Sequence, residues 1–395
     1  MSRSQDENPL YIQEGKPLLN SPFEVIHMIA DYLGPVDLAL FSETCRALRA
    51  ILQRRTNISL LSREEYLTYL VTRARGLPTH WVCAECMTLH CCADFNTVSS
   101  FPDNNLPCLS MYRLRLMGRN RQILLLHHHI QLAVKLTRLQ HHEHESYLQV
   151  LLAPHFDNQF GPQPGVPLLA YYAALPKVVN NLGDLRFLLS STWRYFKGTR
   201  PISLRNIGYQ KICPHLELNY TANDYLRRGF WRVLEDVVVL AIKEAQDGGE
   251  SQEWTGSCPR CATDFAVNAT TQYLDLRAWH DFGRGVSPLD LEWQSHCCMG
   301  FDGDANSRYA GLTLYHEPGS VRELYEEADA DVRELAEDPS SGPEPSVPEN
   351  QLVRYNPYNY QSFLASDYAD YASEFELDCT HQQEGSNESW HVYVR

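Results

Sequence analysis

PFEVIHMIADYLGPVDLALFSETCRALRAIL, residues 22–52, decides the fold of the first part of the chain. Just ahead of it, Ser21-Pro22-Phe23-Glu24 reads as a capping box with proline at the first helical position. Val25, Ile26, Ile29, Tyr32 and Leu33 then recur at helical spacing. Gly34-Pro35 is expected to end that helix, and Asp37 to cap a second carrying Leu38 and Phe41. A third follows with Cys45, Leu48, Ile51 and Leu52. Three short helices in roughly 35 residues bury too little surface to stand alone. Their apolar faces need either the rest of the chain or a partner.

This run resembles the F-box. The family pattern has Pro-x-Glu, two aliphatics, Ile, Tyr-Leu, then Asp-Leu and Cys-Arg-x-Leu-Arg. Pro22, Glu24, Val25, Ile26, Ile29, Tyr32, Leu33, Asp37, Leu38, Cys45, Arg46, Leu48 and Arg49 fall in its register. The resemblance implies docking onto a Skp-type linker and, through it, a cullin ubiquitin ligase. Leu19, Pro22, Glu24, Val25, Ile26, Ile29, Leu33, Leu38, Phe41, Cys45 and Leu48 are the partner-binding residues it implies. The family normally has Leu immediately before the Pro, and that Leu inserts into the partner. Here Ser21 stands there, with Leu18 and Leu19 upstream, a departure that bears on docking affinity rather than on fold. The competing reading is an ordinary amphipathic helical cap on the larger domain.

The chain has 395 residues, enough for about two domains. Its formal net charge of −15 disfavours nucleic acid as a partner, because an acidic surface repels a phosphate backbone. No run approaches a membrane span, and the polar start MSRSQDENPLY is not a signal peptide. The expected compartment is therefore cytoplasmic or nuclear, where the 12 cysteines serve as thiols or metal ligands.

The expected organisation is α+β: a disordered N-terminus at 1–16, an F-box at 17–55, a mixed Cys/His-containing domain at 56–336, an acidic Pro/Ser linker at 337–350 and a Tyr-rich acidic tail at 351–395. Within the large domain, residues 56–78 and 121–152 read as helical, the latter stopped by Pro154. Leu168–Val179 and Leu185–Phe196 read as a β-hairpin across Asn180-Asn181-Leu182-Gly183. Thr270–His280 and Leu312–His316 read as further strands, and Val233–Ala245 and Ser320–Ala336 as helices. No internal repeat is present, so neither a propeller nor a leucine-rich-repeat domain is expected.

Cys213-Pro214-His215 and Cys258-Pro259-Arg260-Cys261 are two tight pairs, the economical way to supply four tetrahedral zinc ligands. They also resemble fungal F-box proteins in which Cys-Pro-His-Leu precedes Cys-x-x-Cys-Ala-Thr-Asp-Phe, here CPHL at 213–216 and CPRCATDF at 258–265. The alternative is two unrelated turns with core thiols. Cys83 and Cys86 form a second knuckle, with His90 and Cys108 as candidate partners in a less complete site. Cys297-Cys298 reads as core. His127-His128-His129 and His141-His142-Glu143-His144 read as exposed or satisfied, because consecutive helical residues point about 100° apart and cannot converge on one ion.

No phosphate loop, dinucleotide fingerprint or nucleophile elbow occurs. The expected function is a non-catalytic substrate receptor of a Skp–cullin–F-box ligase, with structural zinc in the domain that holds an unknown protein substrate. A ligase-independent zinc-stabilised scaffold is the alternative, and a zinc or thiol enzyme is a third reading.

Overall fold

The computed structural model describes residues 18, 21–84, 86–92, 125–157, 169–198, 201–218, 232–248, 252–297 and 312–336. The expectations for 1–16, Leu19, Cys108, Cys298, 337–350 and 351–395 lie outside these residues.

Three helices open the described chain: α1 (Phe23–Asp31), α2 (Pro35–Glu43) and α3 (Arg46–Leu52). The expected Ser21–Glu24 capping box does not form around the start of α1. Pro22 is itself the N-cap, and no side chain caps the helix. Gly34-Pro35 does not merely stop α1. Gly34 caps α2 and Pro35 takes its first position, so Asp37 sits inside the first turn. Cys45 caps α3 by accepting the Leu48 N–H at 3.4 Å. Ile26, Ala30, Leu48 and Leu52 form the core of this unit. Arg55 pins the end of α1, donating to the Asp31 carboxylate and to the His27 carbonyl at 3.2 Å.

The helix expected over 56–78 is shorter, α4 (Arg63–Ala74), preceded by a 3-10 turn at Ile58–Leu60. It starts on a capping box in which Ser62 Oγ accepts the Glu65 N–H and Glu65 Oε2 accepts the Ser62 N–H. Ala39 of α2 packs with Leu67, Leu70 and Ala74 of α4, and Tyr69 donates to Glu43 at 2.6 Å. A small hairpin follows, β1 (His80–Cys83) and β2 (Thr88–Cys91).

The helical stretch expected over 121–152 is broken in two. α5 (His127–Leu139) ends at Gln140, in the left-handed region at φ 50°, and α6 (Glu145–Leu151) follows a 3-10 turn. The centre of the fold is a six-stranded antiparallel sheet of β3 (His155–Asp157), β4 (Leu169–Asn181), β5 (Asp184–Phe196), β8 (Glu253–Ser257), β9 (Thr263–Ala269) and β10 (Tyr273–Asp281). Its order is β3-β4-β5-β10-β9-β8. The period-2 pattern is visible in the packing. Tyr172, Ala174, Leu189, Trp193, Leu276 and Val267 line one face.

That face is covered by α5 and by α8 (Arg232–Gln246), whose Leu234, Val238, Ala241 and Ala245 recur every three or four residues and are buried. Each large aliphatic buried there contributes about 1.5–3 kcal/mol. The other face receives α10 (Ser320–Ala336), through Val321 and Tyr325 packed on Val179, Leu188, Ala266 and Trp279. Short elements complete the described part: α7 (Leu204–Ile207), a hairpin of β6 (Gln210–Cys213) and β7 (Leu216–Leu218), and α9 (Leu291–Cys297).

Leu312–His316, expected as a strand, joins no sheet. It runs as irregular chain tied through Leu314 N–H to the Arg260 carbonyl at 2.9 Å. β8 and β9 were not expected from the sequence.

Candidate functional site

Among the described residues, two groups of cysteine and histidine come together. The first is assembled by two turns distant in sequence. Cys213 closes β6 and His215 sits in the turn to β7, while Cys258 and Cys261 flank the turn from β8 to β9. The ligating atoms of Cys213, His215, Cys258 and Cys261 all lie within 4.8 Å of one another, and all four residues are buried. A four-coordinate metal with bonds of about 2.0–2.3 Å holds its donors about 3.3–3.8 Å apart, so the cluster needs little closure to take one.

The backbone is already arranged for anionic sulfur. His215 N–H points at Cys213 Sγ and Arg260 N–H at Cys258 Sγ, each at 3.4 Å. The Thr263 hydroxyl lies 3.2 Å from Cys261 Sγ and 3.1 Å from His280 Nδ1, a link from the ligand to the core behind it. Burial pushes the Cys213 and Cys261 thiols well up. Burial also raises Cys258, but hydrogen bonds from Cys213, Cys261 and His215 outweigh it and bring that thiol below its ordinary value. His215 Nε2 is buried with no hydrogen-bond partner. Three sulfurs at one point cannot be consumed by a disulfide. Four buried donors are suited to hold a metal ion.

The second group is Cys83 at the end of β1, Cys86 in the turn and His90 on β2, with ligating atoms again within 4.8 Å. Cys86 N–H points at Cys83 Sγ at 3.4 Å, and Met87, at φ 53°, turns the chain into β2. This site is more open. Cys83 is buried, but Cys86 is exposed and His90 is half-buried against Trp81, with ring centroids 4.6 Å apart. Burial lowers the His90 pKa. Cys92 does not join the group, and burial raises its thiol to about 11.

The histidine run at 127–129 is not exposed, and of the two expectations His129 meets the second, its Nδ1 accepting the Leu126 N–H at 3.2 Å. All three residues are buried, because α5 is enclosed on every side from His127 to Leu136. Burial pushes His127 and His129 down to about 3. His128 stacks on Trp81 at 4.6 Å, and its Nε2 has no hydrogen-bond partner. His141 and His142 are exposed. Cys297 is partly buried against the core.

Of the partner-binding residues the sequence suggested, Pro22, Glu24 and Val25 are exposed. Ile29, Leu33, Leu38, Phe41 and Cys45 are half-buried. Ile26 and Leu48 lie inside the small three-helix core and present no surface. Three apolar residues not in that set are exposed on the same helix or at its end: Phe23, Met28 and Tyr32. Val25, Met28, Ile29 and Tyr32 follow one another at helical spacing, so α1 carries an outer apolar stripe beside its inner one.

Sequence reasoning also missed Asp264 and Thr263. Asp264 belongs to the Cys-Ala-Thr-Asp-Phe run, but its partners lie between His316 and Arg322, so no local signal marks its role. The buried carboxylate accepts from Gly319, Val321 and Arg322 N–H groups at 2.8–3.0 Å and lies 3.1 Å from His316 Nε2.

No family model, curated protein or solved structure matches this chain. Among the described residues, no helix is long and apolar enough to cross a membrane.

Proposed function

We propose that the chain is a substrate-receptor subunit of a Skp–cullin–F-box ubiquitin ligase. In this reading α1–α3 are an F-box that docks a Skp-type linker, and the sheet domain recruits a protein target. The observation that carries the reading is the outer stripe of α1, with Val25 and Met28 exposed, Ile29 half-buried between them and the exposed Tyr32 at the helix end, on a helix whose other face already has a core in Ile26 and Ala30. A helix that keeps apolar surface in water after its own fold is satisfied is built to meet a partner. Of the positions that match the F-box pattern, Glu24, Val25, Ile26, Ile29, Asp37, Leu38, Arg46, Leu48 and Arg49 lie on these three helices, and Pro22, Tyr32, Leu33 and Cys45 at their caps and turns. The adaptor role needs no catalytic residue in this chain.

The same reading assigns structural zinc to Cys213, His215, Cys258 and Cys261. Three sulfurs and one imidazole, all buried and with no open position for substrate, form the closed donor set of a structural zinc. Bound there, zinc supplies charge neutralisation and a cross-link. The chain's own residues supply the two N–H···S bonds and the Thr263 hydroxyl. Cys83, Cys86 and His90 are proposed as a second, more exposed zinc site.

The test is co-purification of the full chain with a Skp-type linker, beside a Val25→Asp, Met28→Asp double variant. Linker captured by the wild type and lost from a folded variant supports the receptor role. Absence of linker from the wild type refutes it. One observation favours the scaffold alternative. α2 is fastened to α4 through Ala39 and the Glu43–Tyr69 hydrogen bond, so the three helices also serve as part of the domain.

A further inference from the structure

We propose that the Cys258–Cys261 knuckle docks the start of helix α10 on the sheet, so that metal binding at this centre sets how firmly that helix is held. The inference rests on the metal reading above.

The connection is local and continuous. Cys258 N–H donates to the Thr263 carbonyl at 2.8 Å and Thr263 N–H to the Cys261 carbonyl at 2.7 Å, which fixes the turn and the first residues of β9 as one piece. From that piece, the Arg260 carbonyl accepts Leu314 N–H at 2.9 Å, holding the segment that leads into α10. Three residues beyond Cys261, Asp264 takes over. One carboxylate oxygen binds Gly319 N–H at 3.0 Å and His316 Nε2 at 3.1 Å. The other binds Val321 and Arg322 N–H at 2.8 and 3.0 Å. A carboxylate from a neighbouring strand thus satisfies the free donors that every helix start presents. Ala262, between the last ligand and Asp264, packs in the same apolar cluster as Val321 and Tyr325.

Other contacts hold the helix independently of the knuckle. Further along, Tyr325 donates to the Leu175 carbonyl at 3.0 Å on β4, and in the first turn the Arg322 side chain pairs with Glu253 at 2.6 Å on β8. The coupling therefore acts on the first turn and its approach rather than on all of α10. It is also reciprocal: whatever docks that turn stiffens the knuckle.

The test is amide hydrogen exchange on the full chain, with zinc content measured beforehand. Chelation of the bound zinc is expected to lower protection of Leu314, Gly319, Val321 and Arg322 by at least about tenfold, while β4 and β5 keep theirs. Unchanged protection at those four amides overturns the proposal. So does loss across β4 and β5 in step with them, which would make the metal a condition for the whole domain. An Asp264→Asn variant is expected to lose protection at Gly319, Val321 and Arg322 and, because the coupling is reciprocal, to bind zinc more weakly than the wild type. Full protection of those three amides in that variant, or zinc affinity equal to the wild type's, also overturns the link. Protein purified without zinc defeats the metal reading itself, a result separate from an unresponsive α10 in zinc-loaded protein.

Discussion

His215 Nδ1 lies 3.7 Å from Cys258 Sγ across a separation of 43 residues. This approach closes the β6–β7 turn onto the β8–β9 turn, in the same core as the inner faces of α5 and α8. Replacing Cys213 by Ser is expected to remove one equivalent of bound zinc and to destabilise the domain by at least about 3 kcal/mol, as for other losses of a buried metal or polar network. Metal analysis and urea unfolding of wild type and variant check it. Equal zinc content in the two proteins would exclude Cys213 as a ligand.

The two stripes of α1 predict opposite outcomes for substitutions two residues apart. Ile26 is buried with Leu48 and Leu52, so Ile26→Asp places a charge in a core too small to absorb it and unfolds the three helices. Met28 is exposed, so Met28→Asp should shift stability by only about 0.5 kcal/mol yet weaken linker capture. Thermal melts followed by circular dichroism separate the first effect, and co-purification the second. Loss of helicity in Met28→Asp would contradict the surface placement.

Burial holds His127 and His129 down to about 3, against an unfolded value near 6.5. His129 Nδ1 accepts the Leu126 N–H at 3.2 Å, a bond open only to the unprotonated nitrogen. Because the folded values are depressed, the unfolded chain binds more protons between these limits. The neutral rings therefore stabilise fully above about pH 6.5, and stability falls as pH drops through the window toward 3, by up to about 1.4 kcal/mol per pH unit for each ring. Urea midpoints should drop between about pH 7.5 and 5, and less steeply in His129→Gln. A His129→Gln variant with the wild-type pH slope would count against this origin.

The three N-terminal helices and the β4–β5 hairpin were legible because each rests on a local pattern: helical recurrence from Val25 to Leu33, alternation from Leu185 to Phe196. The start of α1 was misplaced because Pro22 takes the cap position that Ser21 seemed to offer. The Ser62–Glu65 capping box was legible but overlooked inside a longer apolar run. Leu312–His316 alternates like a strand, but alternation supplies no ladder partner, and Arg260 provides the bond shown for it. β8 (Glu253–Ser257) carries a single large apolar residue, Trp254, so nothing in its composition announced a strand. The four candidate ligands Cys213, His215, Cys258 and Cys261 could be paired from spacing. Thr263, Asp264 and His280 could not, since their roles depend on which strands lie side by side. His127, His128 and His129 read as exposed or satisfied; they are buried, because tertiary packing encloses α5 from His127 to Leu136, and His129 is satisfied by the Leu126 N–H.

At the tip of the β4–β5 hairpin, Leu182 and Gly183 both have positive φ, 52° and 93°. A two-residue loop of this kind matches the right-handed twist of the strands, and it favours Asn-Gly or Asp-Gly. Leu182 is fully exposed, so its side chain gains nothing from packing to offset the strain of a left-handed backbone. Asn180 Oδ1 already accepts the Gly183 N–H at 2.9 Å, so the turn is supported from its other end. Leu182→Asn is therefore expected to stabilise the protein by about 0.5–1 kcal/mol, because Asn tolerates the left-handed region and a branched aliphatic does not. The gain should appear as a higher urea midpoint with an unchanged slope, since neither state changes its compactness. A lower midpoint would mean that the Leu182 side chain makes a stabilising contact that its exposure at the hairpin tip denies.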